Sequence, residues 1–278
     1  MISVRAAAAQ IDNPTWRFFD VRYTLGDNGK GARDYAAGHL PGAAFADLDT
    51  QLAAPHQPGR TGRHPLPARA AFVQTLSRWA IVPGQTVVVY DESVGQLAAG
   101  RLWWMLQWVG HADVFVLDGG FARWRAEGLP VSTTPAVPRP PRRFIPAWRD
   151  DLLADAGDVQ AALANRSAVV LDARAAERYR GDVEAIDPVA GHIPGALSAP
   201  LTENIVEGVM DAPATLARRF ERLVPQGSEA IFYCGSGVSA TQNILAYARA
   251  GRGLGRLYAG SWSDWITDPD RPTAKGSA

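Results

Sequence analysis

Short apolar runs punctuate the chain at residues 87–90, 114–117, 168–171 and 230–233, each rich in β-branched or aromatic side chains. Apolar runs of this length, without alternation, fit strands buried on both faces of a parallel sheet. Between them the apolar positions take on helical spacing. This holds over residues 98–109, with Trp103, Trp104, Leu106 and Trp108, and again over residues 240–250. Strand–helix alternation predicts an α/β fold, an open and mainly parallel sheet with helices on both faces. Ligands of such sheets sit outside the carboxyl ends of the strands, so the residues closing each run matter most.

The pattern occurs twice. Asp20-Val21-Arg22 closes one apolar run and Asp172-Ala173-Arg174 closes another. His39-Leu40-Pro41-Gly42-Ala43 is echoed by His192-Ile193-Pro194-Gly195-Ala196. The run ending Tyr90-Asp91 corresponds to the one ending Tyr233-Cys234. Leu117-Asp118-Gly119-Gly120, followed by Trp124, matches Leu257-Tyr258-Ala259-Gly260, followed by Trp265. Matches in the same order indicate one duplicated domain rather than a solenoid of many short units. Between the copies, residues 135–141 contain four prolines and Pro146 lies just beyond. Proline fixes φ and removes donors, so this stretch is expected to be an extended, semi-rigid linker. The predicted domains are residues 1–134 and 150–278, joined by 135–149.

A chain of 278 residues with 47% apolar and 20% charged positions can bury two cores. The 28 basic residues cancel the 28 acidic ones, so nothing in the net charge recruits nucleic acid or anionic lipid. The Ala run near the N-terminus is too weakly apolar for a signal peptide, and no stretch has the length of a membrane span. A cytoplasmic location is expected. One cysteine rules out an internal disulfide and any multi-cysteine metal site.

That cysteine, Cys234, ends a predicted strand, and Gly235-Ser236-Gly237-Val238-Ser239 follow before a helix. Two glycines let the loop turn tightly, so that successive N–H groups can face inward as an anion nest at the helix N-terminus. A thiol at the base of such a nest is favoured as thiolate, provided it can be reached. The duplicated His-(Leu/Ile)-Pro-Gly-Ala, the Asp-x-Arg strand ends and the Cys234 loop together resemble a tandem-domain rhodanese-family sulfurtransferase. The resemblance runs from about Asp20 to Trp265. It implies two rhodanese-like domains, an inactive first copy with Asp91 at the cysteine position, and an active second copy. The implied reaction moves a sulfane sulfur from a small-molecule donor through a Cys234 persulfide to a thiol or cyanide, with thioredoxin among the candidate acceptors. Neither metal nor organic cofactor is implied, and neither nucleic acid nor membrane is an expected partner.

The loop is similar to the Cys-Gly-Ser-Gly-Val-Thr-Ala of the family's 3-mercaptopyruvate branch, with Ser239 in place of threonine. The thiosulfate branch places basic residues directly after the cysteine, and Gly235 and Ser236 supply none. The resemblance further implies a serine–histidine–aspartate relay of Ser236, His64 (in Arg63-His64-Pro65-Leu66-Pro67) and Asp49 (in Phe45-Ala46-Asp47-Leu48-Asp49). Arg178 matches the branch's first carboxylate-binding arginine. Its second has no counterpart in 182–187, where Asp182, Glu184 and Asp187 stand instead. Arg180 can replace it only if its side chain turns inward. Loop residues Gly235, Gly237, Val238 and Ser239 complete the expected substrate contacts.

Other residues read as architecture. His39 and His192 belong to the repeated turns, Asp20 and Asp172 tie strand ends to neighbouring loops, and Trp103, Trp104 and Trp108 pack a core. His56, His111 and Arg60 to Arg63 read as surface features. Two rival functions remain. A Cys-x5-Arg phosphatase needs an arginine six residues after the cysteine, and Ala240 stands there. A non-enzymatic rhodanese-like binding module does not need the cysteine that this chain keeps.

Overall fold

The computed structural model describes residues 1–277. It contains two five-stranded sheets in which every pairing is parallel. The first runs, in spatial order, Ile2–Ser3, Val114–Asp118, Thr86–Tyr90, Trp16–Asp20 and Ala44–Phe45. The second repeats it as Leu153–Ala154, Arg256–Tyr258, Glu229–Tyr233, Ala168–Asp172 and Leu197–Ser198. The predicted apolar runs form the inner strands. The outer strands are each two residues long, too short to leave a periodicity in the sequence.

Successive side chains of a strand point to opposite faces, and the aromatic residues show both faces covered. In the second sheet Val170, Ile231 and Tyr233 pack with Val159 and Ala162 of helix Ala156–Asn165 and with Trp262 and Trp265 of helix Ser261–Trp265. On the other face Phe232 meets Phe220 of helix Pro213–Leu223 and Tyr247 of helix Ala240–Arg249 edge-on. The first sheet packs Phe18, Val88 and Leu117 with Phe121 and Trp124 on one side, while Phe19 lies against Trp79 on the other. Trp104 in helix Ala98–Trp108 is fully buried, as expected of a core cluster.

The repeated motifs brace both copies identically. Arg22 donates to both oxygens of Asp20 and to the Gly38 carbonyl, and Arg174 does the same with Asp172 and Gly191. His39 stacks on Tyr35 and His192 on Tyr179, at ring separations of 3.8 Å, with each Nδ1 bonded to that tyrosine's carbonyl. The histidines and aspartates of the motifs are therefore structural.

The compact units are not two unbroken halves. One comprises Met1–Ala54, Leu66–Arg149 and Glu207–Val209; the other comprises Pro55–Pro65, Asp150–Val206 and Met210–Ala278. The proline-rich stretch belongs to the first unit, held by N–H bonds from Arg142 to the Ser77 carbonyl, from Phe144 to the Ser77 hydroxyl and from Ala147 to the Val109 carbonyl. Among the described residues no helix is long and apolar enough to cross a membrane.

Candidate active site

In the first unit the loop after the central strand holds an anion of its own. The Asp91 carboxylate accepts N–H bonds from Ser93 at 3.1 Å, Gly95 at 3.0 Å and Leu97 at 3.2 Å. Burial raises the Asp91 pKa, and these bonds pull against that rise. A ring of peptide N–H groups around a carboxylate is an anion nest, and here the chain fills it.

Cys234 occupies the matching point of the second unit. The Phe121 and Ala122 N–H groups donate to the carbonyls of Asp91 and Glu92, as those of Trp262 and Ser263 donate to the carbonyls of Cys234 and Gly235. Gly237, at φ +73°, turns the loop where a Cβ would stand 2.0 Å from the Ala259 carbonyl oxygen, so no other residue fits. Among the described residues, the N–H groups of Gly235, Ser236, Val238, Ser239 and Ala240 donate to no protein acceptor. The donors that Asp91 consumes in one copy are left unspent in the other. Cys234 is 1% exposed, so the thiol lies at the floor of the loop rather than on its rim.

Ser261 holds that floor. The Cys234 N–H donates to its hydroxyl at 3.0 Å, and the hydroxyl donates to the Tyr258 carbonyl at 2.9 Å. Ser261 has φ +57°, a left-handed conformation that costs a non-glycine residue about 1–2 kcal/mol. Its counterpart in the first copy is Gly120, at φ +58°.

The segment Pro55–Pro65 brings His64 into the second unit, where its Nδ1 lies 2.9 Å from the Ser236 hydroxyl. Both side chains are buried. A serine O–H donating to Nδ1 requires the ring proton on Nε2. Asp49 lies in the helix Leu48–Gln51 of the first unit, its carboxyl pKa raised by burial and by neighbouring Asp47.

Arg178, in helix Ala176–Arg180, donates to both Glu184 oxygens and, through Nη2, to Asp187 at 3.0 Å. Burial would raise the Glu184 pKa, but the Arg178 bonds and the Asp187 and Ile186 N–H groups outweigh it and hold it below its ordinary value. Arg180 does not turn inward. Its guanidinium donates to Asp182 at 2.7 Å, on side chains that are 41% and 54% exposed, because the helix end points it to solvent. Arg63 is no surface feature either. Its N–H donates to the Ser263 hydroxyl at 3.0 Å and its guanidinium pairs with Asp187. His111 is likewise buried, and burial lowers its pKa.

Residues 3–127 and 155–268 each match the Rhodanese-like domain. The chain belongs to the rhodanese-like family. It is a sulfurtransferase, with two rhodanese-like domains each built on a parallel sheet. A Pseudomonas aeruginosa protein whose name contains the words 3-mercaptopyruvate sulfurtransferase is 45% identical over 99% of this chain and 98% of its own length. A Mycobacterium tuberculosis protein whose name contains thiosulfate sulfurtransferase is 39% identical over 93% of this chain and 90% of its own. The solved 3-mercaptopyruvate sulfurtransferase of Leishmania major superposes with a TM-score of 0.81, at 31% identity, covering 95% of this chain and 74% of the other.

Within this rhodanese-like chain, reading the sequence missed three residues around the loop: Ser261, Arg63 and Asp187. The Ser261 signal lay in the duplication. The sequence pairs Gly120 with Gly260, whereas the hydrogen bonds and the left-handed φ pair Gly120 with Ser261. The one-residue difference between Gly120–Trp124 and Gly260–Trp265 was the available clue. Arg63 and Asp187 are 124 residues apart, and no local pattern joins them.

Proposed function

We propose that this sulfurtransferase takes its sulfur from 3-mercaptopyruvate onto Cys234 and passes it to a thiol or to cyanide. The observation that carries the reading is the 2.9 Å pairing of His64 Nδ1 with the Ser236 hydroxyl, two residues along the loop from Cys234. Thiosulfate leaves as sulfite and needs no proton, so it makes no use of such a pair. Mercaptopyruvate does need one. The Cys234 thiolate attacks the donor's sulfur, a sulfur–sulfur bond forms, and the donor's carbon–sulfur bond breaks with its electron pair left on carbon as pyruvate enolate. The proton from the donor's thiol must then reach that carbon, giving pyruvate and a Cys234 persulfide anion. Ser236 and His64 are the groups proposed to carry it, with Asp49 as the third relay member on its sequence match.

The persulfide anion takes the role that Asp91 plays in the first copy, receiving the unspent loop N–H groups. An acceptor thiol then takes the outer sulfur as its own persulfide, or cyanide takes it as thiocyanate, and the Cys234 thiolate returns. Thioredoxin is a fitting thiol acceptor because it presents a reactive thiol on a folded surface.

Intact-mass measurement of protein offered each donor separately tests the reading. A gain of one sulfur from mercaptopyruvate, faster than from thiosulfate, is expected. Ser236→Ala and His64→Ala should slow mercaptopyruvate turnover more than thiosulfate turnover. Equal losses with both donors would remove the relay. A Cys234 that resists both donors and iodoacetamide would make the chain a binding module.

A further inference from the structure

The loop after Cys234 carries no basic residue, and the segment expected to supply a second carboxylate-binding arginine supplies acids instead. Yet two guanidinium groups converge beside the loop. A Cβ placed on Gly235 would stand 2.7 Å from Nη2 of Arg63, 3.6 Å from Nη1 of Arg178 and 3.8 Å from its Nη2. Arg63 is held there by its N–H bond to Ser263, whose own N–H donates to the Gly235 carbonyl. The arginine and the loop it faces are therefore anchored to the same serine.

Asp187 shows what this pair of cations binds. One carboxylate oxygen pairs with Nη1 of Arg63 and the other accepts from Nη2 of Arg178. A single carboxylate thus spans two guanidinium groups beside the residue that follows Cys234. Donor capacity remains. Nε of Arg63 is buried with no partner, and among the described residues Nη2 of Arg63 and Nη1 of Arg178, the atoms nearest Gly235, donate to no acceptor.

We propose that Arg63 is the second arginine of a carboxylate clamp completed by Arg178, and that Asp187 is the internal carboxylate with which the donor's carboxylate competes. The proposal rests on mercaptopyruvate being the donor. Planar guanidinium forks suit a carboxylate better than lysine does, because two parallel N–H bonds fix its plane. Arg63 shares its segment with His64, so one stretch of chain would deliver both the relay base and half of the clamp.

The test compares 3-mercaptopyruvate with mercaptoacetone, which keeps the ketone and thiol but lacks the carboxylate, in the wild type and in Arg63→Ala, Arg63→Lys and Asp187→Asn. Losing charge-assisted bonds to the donor should raise KM for mercaptopyruvate about 10- to 100-fold in Arg63→Ala. Its kcat/KM for mercaptoacetone should fall far less than that for mercaptopyruvate, since no clamp contact is lost with that donor. Arg63→Lys should fall between, keeping the charge and losing the fork. Asp187→Asn should lower KM for mercaptopyruvate alone. If Arg63→Ala does not fold, Arg63→Lys and Asp187→Asn carry the test. Equal losses with both donors, or an unchanged KM for mercaptopyruvate, would overturn the clamp. A wild type that is loaded by thiosulfate but never by mercaptopyruvate would overturn the donor reading, and the clamp with it.

Discussion

The loops that follow Tyr90 and Tyr233 differ at their base, aspartate in one and cysteine in the other, and that difference separates a loop filled by its own carboxylate from one that is not. Both are pinned by two N–H bonds from the helix that follows the next strand. In the first, a carboxylate sits inside the ring of loop amides and uses them up. In the second, a thiol sits at the base, and among the described residues the N–H groups of Ser236, Val238 and Ala240 donate to no protein acceptor. The lesson is that the backbone cradle came with the fold, and the residue placed in it decides whether the chain itself fills it. The buried Asp91 carboxylate needs those donors, which gives the loop geometry a structural use in the copy without the cysteine.

The comparison can be broken most severely at the nucleophile. Cys234→Ser should reduce sulfur transfer by a factor on the order of 10^4 or more, as loss of a covalent nucleophile does. Adding Asp91→Cys to that variant should restore none of it in a thiocyanate assay. Appreciable rescue would mean that the cradle alone suffices.

Next come the shared braces. Asp20→Ala and Asp172→Ala each strand a buried arginine, and each should cost about 3–5 kcal/mol in urea denaturation. Near-equal losses would confirm that the motif is architectural in both copies; a loss confined to the second would tie it to the Cys234 loop.

The left-handed positions give a graded pair. Gly120→Ala puts a Cβ 2.1 Å from the Ser93 carbonyl oxygen, and should cost about 3 kcal/mol or more. Ser261→Gly leaves the Cys234 N–H without its acceptor, a penalty of about 1–3 kcal/mol. Relief of the left-handed strain returns about 1–2 kcal/mol, so the net loss should be near 1 kcal/mol. Turnover would fall further than stability if the serine sets the height of the thiol.

The smallest effect concerns the second copy alone. Glu184 has a pKa held below its ordinary value, so its ionised form stabilises the fold above the carboxylate range, and that stability disappears as pH falls through the folded-state pKa. Glu184→Gln should therefore lower Tm at neutral pH, with the gap closing in acid. A gap constant with pH would mean that packing, not charge, explains the loss.

Much of the fold was legible from residues 87–90, 168–171 and 230–233, whose unbroken apolar runs fit inner strands of a covered sheet. The Cys234 loop was legible because glycine spacing encodes backbone conformation directly. The expectation that Ser236 and His64 meet came from family resemblance, since nothing local ties residues 172 positions apart. Arg63 was misread as exposed because its neighbours in sequence, Arg60 to Gly62, look like a polar loop. What buries it is Asp187 and Ser263, which only the folded chain brings near. The reading of Asp91 as merely inert was incomplete for a related reason: hydrogen bonding to backbone leaves no mark on side-chain composition.

Pro55–Pro65 interrupts the first unit in sequence yet belongs to the second. A protease nick in the seam between the copies would therefore yield a C-terminal fragment without its own histidine and clamp arginine. Such a fragment, expressed alone, should need those eleven residues returned as a graft or as the intact N-terminal piece before it regains full turnover.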